Sequence, residues 1–78
     1  MEFEEYLKQK HMLKKGERKL KDISVKQYLN RLENMRRNGI YVEEQQIDFS
    51  LKQRVQDSYR DWKTYLKTID HYLSSKNY

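Results

Sequence analysis

The chain has 78 residues, with 17 Lys and Arg against 12 Asp and Glu for a formal net charge of +5, and it contains neither cysteine nor proline. A chain this short makes one domain with a thin core, burying only somewhat more than about 60% of its unfolded surface, and no disulfide can reinforce it. No apolar run approaches the roughly 20 residues of a membrane span and the start MEFEEYL is unlike a signal peptide, so a single cytoplasmic domain over 1–78 with no membrane partner is expected.

The charged fraction of 37% would suit a disordered chain, but 13% aromatics and clear apolar periodicity argue for order. The first segment, about 2–15, puts Phe3, Tyr6, Leu7 and Leu13 near one helical face, with Gly16 beyond the last turn as a helix stop. Lys14 and Lys15 at its end complement the helix dipole. From Lys8 to Lys21 seven Lys or Arg stand against one acid, Glu17, whereas the 57 residues that follow hold ten basic and eight acidic side chains. Nearly all the excess charge therefore lies in this stretch. An anionic partner is expected, with a solvated basic loop as the alternative.

The second segment, ISVKQYLNRLENMRRNGIY, predicts a helix over about 25–38. Ser24 and Gln27 have the spacing of a capping box, Ile23 and Tyr28 that of a hydrophobic staple, and Val25, Tyr28, Leu29, Leu32 and Met35 follow helical spacing. Asn38-Gly39 supplies the left-handed end, with Ile40 able to fold back on the last turn. Lys26 lies near the start of this helix; Arg36 and Arg37 close it, where dipole and phosphate roles are both open. IYVEEQQIDF reads as an extended loop lidding the core.

A second capping box, Ser50 with Gln53, opens the last segment, in which Leu51, Val55, Tyr59, Trp62, Leu66, Ile69 and Leu73 keep one apolar stripe. The even stripe predicts one long helix of about 26 residues, roughly 40 Å. Lys52, Arg60, Lys63 and Lys67 each follow a stripe residue by one position, forming a parallel basic stripe about 100° around that helix. The same residues also suit the solvated flank of a core.

Enzyme chemistry has little support. His11 and His71 belong to different segments and to no metal-ligand spacing, and the carboxylate pairs Glu4/Glu5 and Glu43/Glu44 diverge if helical. No glycine-rich phosphate loop occurs, and no cofactor or metal is expected.

The order of motifs resembles the helical core-binding, or SAM-like, domain of phage-type tyrosine recombinases (integrases). Phe3, Tyr6 and Leu7 in FEEYLKQK match its opening Phe-x-x-Tyr-Leu-like helix, Ser24, Tyr28 and Leu32 match its next helix, and Tyr72 and Leu73 match the end of its last. The family usually has four or more helices, two of them after the Tyr-Leu helix, where one long helix is predicted here. The resemblance implies a DNA-integration and recombination context on a mobile element, and a grip on one face of the duplex without cleavage. The family's catalytic Arg, His and Tyr belong to another domain.

The expectation is therefore a small all-α bundle of three helices, or four should the last segment divide, with a long C-terminal helix. Its predicted core is Tyr6, Leu7, Leu13, Val25, Tyr28, Leu29, Leu32, Val55, Tyr59, Trp62, Leu66 and Ile69. The expected function is non-enzymatic duplex-DNA binding through phosphate contacts by Lys14, Lys15, Arg18, Lys19, Lys21, Lys26, Arg36, Arg37, Lys52, Arg60, Lys63 and Lys67. The alternative is a small phage or mobile-element regulatory or inhibitory protein that binds a protein partner through its long helix or its acidic-aromatic loop.

Overall fold

In the computed structural model, which describes all of residues 1–78, the chain forms four helices and no strand: α1 (Phe3–Leu13), α2 (Asp22–Arg37), α3 (Phe49–Ser58) and α4 (Trp62–Ser75). The last helix packs against each of the other three, and α1 also packs on α2. No helix is long and apolar enough to cross a membrane.

Helical periodicity explains the inward faces. Phe3, Tyr6, Leu7 and Lys10 form the buried face of α1, and Val25, Tyr28, Leu32 and Met35 that of α2. Leu51 and Val55 of α3 and Ile69 of α4 close the core from the other side, each fully buried. Burying such a side chain stabilises the fold by about 1.5–3 kcal/mol. Thr68 and Ser75 are also buried on α4, and each hydroxyl donates to a carbonyl of its own helix, Thr64 at 3.0 Å and Tyr72 at 2.5 Å. Leu13, predicted in the core, is 37% exposed at the end of α1. The helix stops there, so no further turn carries Leu13 back over α2.

The second helix starts earlier than predicted, because the Lys21 carbonyl already accepts the Val25 N–H at 3.1 Å. Ser24 therefore lies inside the first turn and forms no cap, and Ile23 is 64% exposed, so the predicted capping box and staple are absent. Asp22 in the first turn faces the positive helix end instead. The other end follows the sequence. Gly39 has φ +68, the Ile40 N–H reaches the Met35 carbonyl at 2.9 Å and the Gly39 N–H the Arg36 carbonyl at 3.2 Å, the paired bonds of a Schellman motif. Tyr41 then drops into the core at 1% exposure, its hydroxyl donating to the Glu44 carbonyl at 2.8 Å. The segment over 40–48 is thus a loop lidding the core, pinned by Tyr41, Ile40 and Ile47.

The single long helix is corrected: Tyr59 takes an extended conformation, and α3 and α4 are separate helices that pack on each other. Three local features favour the break. Asp57, Ser58 and Asp61 are weak helix formers. The Ser58 hydroxyl donates back to the Arg54 carbonyl at 2.7 Å, and leaving the helix lets Tyr59 stack on Tyr65 at 3.7 Å while donating to Asn34 Oδ1 on α2 at 2.5 Å. A continuous helix of roughly 40 Å would overrun a body whose longest extent is 34 Å.

The cap of α3 is Asp48, not Ser50: its Oδ1 accepts the Leu51 N–H at 2.8 Å. A carboxylate at this position gains from the helix dipole as well as from the hydrogen bond. Asp48→Ala is expected to cost about 1 kcal/mol, whereas Ser50→Ala leaves stability nearly unchanged; urea denaturation followed by Trp62 fluorescence distinguishes the two residues.

Candidate nucleic-acid interface

The structure sorts the twelve predicted basic residues into those with work inside the fold and those without. Four side-chain ion pairs exist, and among the candidates only Arg36 takes part, its Nε 2.7 Å from Glu43 Oε1. Arg36 also stands over the Tyr72 ring at 4.8 Å, so it ties the end of α2 to α4 and to the lidding loop. Lys14 is half-buried with its Nζ 5.8 Å from the centre of the Tyr6 ring. The nearby Tyr6 side chain raises its pKa, so this ammonium already has a neighbour within the fold. Lys63 lies over Trp62 at 5.5 Å, its charge still exposed.

Lys15, Arg18, Lys19 and Lys21 are exposed and pair with no carboxylate. The physical cause is local. Gly16, at φ +86, turns the chain out of α1, and residues 17–21 then run without regular structure until α2 begins. Such a strip presents its side chains outward because its backbone must stay hydrated. Lys26 and Arg37 are exposed on α2, Lys52 on α3, and Arg60 lies in the break before α4. Because of that break, Lys52, Arg60, Lys63 and Lys67 do not form the single helical stripe predicted for them; only Lys63 and Lys67 share a helix.

Lys67 has a different neighbourhood. It lines, together with Arg18, a cleft of 430 Å³ that also takes in Lys10, Glu17, Tyr28 and His71. Lys10 Nζ lies 2.7 Å from Glu17 Oε2, and this contact holds the Glu17 carboxyl below the usual carboxylate range. The His71 ring packs edge-on against Tyr28, centroids 5.1 Å apart. Burial, reinforced by the Lys10 and Lys67 cations, lowers its pKa to about 4, against the opposing pull of Asp70 and Glu17. The larger groove, 570 Å³, is lined by Glu2, Glu4 and Glu33 as well as Arg36 and Lys76, a mixture of signs that does not suit a polyanion.

Sequence reasoning left Lys10 out of the candidate site and read in His71 only the lack of a metal-ligand spacing. A signal for Lys10 was available: it extends the 3, 6, 7 spacing of the inward face of α1 by one further turn. Nothing local marks His71, since its environment comes from α1, α2 and the loop between them.

The depressed His71 pKa has a consequence for stability. Between about pH 6.5 and the folded value near 4 the unfolded chain binds the proton and the native one does not, so stability falls as pH drops through that window. With the ring only half-buried, solvent screening reduces the loss to roughly 1 kcal/mol. His71→Gln is expected to remove this part of the acid destabilisation, measured as urea midpoints on either side of the window.

These features define a small four-helix domain with an unpaired basic loop beside a cationic cleft. No protein-family model, curated protein or solved structure matches the chain.

Proposed function

We propose that this domain binds duplex DNA without catalysing a reaction, holding the phosphate backbone through the loop between α1 and α2. The observation that carries the reading is the set Lys15, Arg18, Lys19 and Lys21: four exposed cations within seven residues, none neutralised by a carboxylate. Cations without internal partners release counterions when they meet phosphates, and that release supplies the affinity. Such contacts orient a duplex and do not read its sequence. The resemblance to recombinase core-binding domains supports the same partner and suggests the setting, a mobile-element recombinase or accessory protein in the cytoplasm. Amide shifts on adding a short duplex test the reading: they are expected to map to residues 15–21, and shifts confined to the mixed-charge groove would contradict it.

A second reading is favoured by Phe49 and Val42, which are 81% and 61% exposed at the edges of the acidic-aromatic loop. In it the domain is a small regulatory or inhibitory protein that engages a protein partner through this loop. The continuous amphipathic helix first expected to do so is interrupted at Tyr59. A partner retained from nuclease-treated lysate by the wild type and lost with Phe49→Ser supports this reading; retention by both variants opposes it.

A further inference from the structure

The cleft between the first loop and α4 shares Arg18 with the backbone-binding loop and has an electrostatic asymmetry of its own. Lys10 is 4% exposed, the one buried cation of the chain. Its ammonium has three N–H donors, and Glu17 is its one side-chain partner, at 2.7 Å. A buried cation with unused donors is costly to hold. Arg18 and Lys67 enter the same cleft without carboxylate partners. Three cations thus face one carboxylate.

We propose that this cleft seats a dianionic phosphomonoester, the group found at the end of a nucleic-acid strand, with Arg18, Lys67 and the free N–H donors of Lys10 donating to its oxygens while Lys10 keeps its bond to Glu17. The proposal deepens the duplex-DNA reading and rests on it only for the source of the phosphate. The charge count favours a monoester over a backbone diester. Three cations less one carboxylate leave a surplus of two, and a monoester carries about −1.5 to −2 with three terminal oxygens, whereas a diester carries a single charge.

His71 reports on occupancy. It is faced by Lys10 from α1, Glu17 and Arg18 from the loop, Tyr28 from α2, and Lys67 and Asp70 from its own helix. Burial first, and then the Lys10 and Lys67 cations, hold its pKa at about 4; a bound dianion offsets the cations' share and raises it.

The test uses the full chain and three probes at constant ionic strength: inorganic phosphate, a short duplex with 5′-phosphates and the same duplex with 5′-hydroxyls. Inorganic phosphate is expected to raise the His71 pKa followed by NMR, and the phosphorylated duplex to bind about tenfold tighter than its hydroxyl twin. Lys67→Ala, at an exposed position, should abolish that difference. Glu17→Gln should tighten phosphate binding, the opposite of what a purely structural role for Glu17 predicts. If phosphate leaves His71 unmoved and both duplexes bind alike, the seat is overturned while backbone binding stands. If phosphate raises the His71 pKa and neither duplex binds, the seat stands, its source is a free phosphomonoester, and the duplex reading fails.

Discussion

Replacing Arg18, Lys19 and Lys21 together by glutamate is expected to lower duplex affinity by at least about a hundredfold and to leave the fold intact. Under the proposed backbone binding, three exposed phosphate contacts of up to about 1 kcal/mol each are lost and replaced by repulsions of similar size, about 3 kcal/mol or more in total. The three side chains are exposed and pair with no carboxylate, so no ion pair breaks on substitution. Changes at such surface positions are usually within about 0.5 kcal/mol of neutral. Fluorescence anisotropy of a labelled duplex measures the affinity, and a urea midpoint close to wild type establishes that the variant is folded. Reversing Lys14 and Arg36 is the informative contrast: both are held against aromatic rings of the core, so stability is expected to fall there more than binding does.

The second large effect concerns the core. Ile69→Ala is expected to destabilise the domain by about 2–5 kcal/mol. Ile69 is fully buried on α4, the helix that touches the other three, so the cavity opens where no single element can shift to fill it. A domain of this size has roughly 4–12 kcal/mol in all, and the variant loses much of it. Leu13→Ala makes the control. Periodicity puts Leu13 in the core, but it is 37% exposed, and its truncation should cost well under about 1 kcal/mol. Thermal unfolding followed by the fluorescence of Trp62, the sole tryptophan, reads both.

Particular elements show what apolar spacing can and cannot convey. The end of α2 was legible because Asn38-Gly39 followed by Ile40 encodes its own geometry within six residues. The start of α2 was not: Ser24 and Gln27 carry the right chemistry, but Lys21 has already entered the helical hydrogen-bonding pattern and leaves the serine inside the first turn. The break at Tyr59 was hidden for a different reason. Both α3 and α4 turn their apolar face to the same core, so Leu51, Val55 and Ile69 keep an even stripe across a fold-back of only three residues. The composition of DSYRD, with three weak helix formers, was the better guide there.

The candidate site divides in the same way. The count of cations between Lys8 and Lys21 is plain in the sequence; which of them are free is not. Lys10 pairs with Glu17 and Arg36 with Glu43, each seven residues apart across a left-handed glycine, at Gly16 and Gly39 respectively. A separation of seven is close to two helical turns, but here each pair forms because the chain reverses at the glycine. Charge spacing alone therefore misassigns both. The cleft of Lys10, Arg18, Lys67 and His71 likewise arises only when α4 is folded back against α1 and the loop.

If the unpaired loop cations hold a phosphate backbone as proposed, duplex affinity depends steeply on salt. The most direct measurement is the affinity of the wild-type chain for a short duplex as a function of salt concentration. Engagement of Lys15, Arg18, Lys19 and Lys21 predicts that log affinity falls linearly with log salt, with a slope of about −3.6, roughly −0.9 for each of the four contacts. Absence of binding at low salt, or an affinity that does not change with salt, would contradict the account.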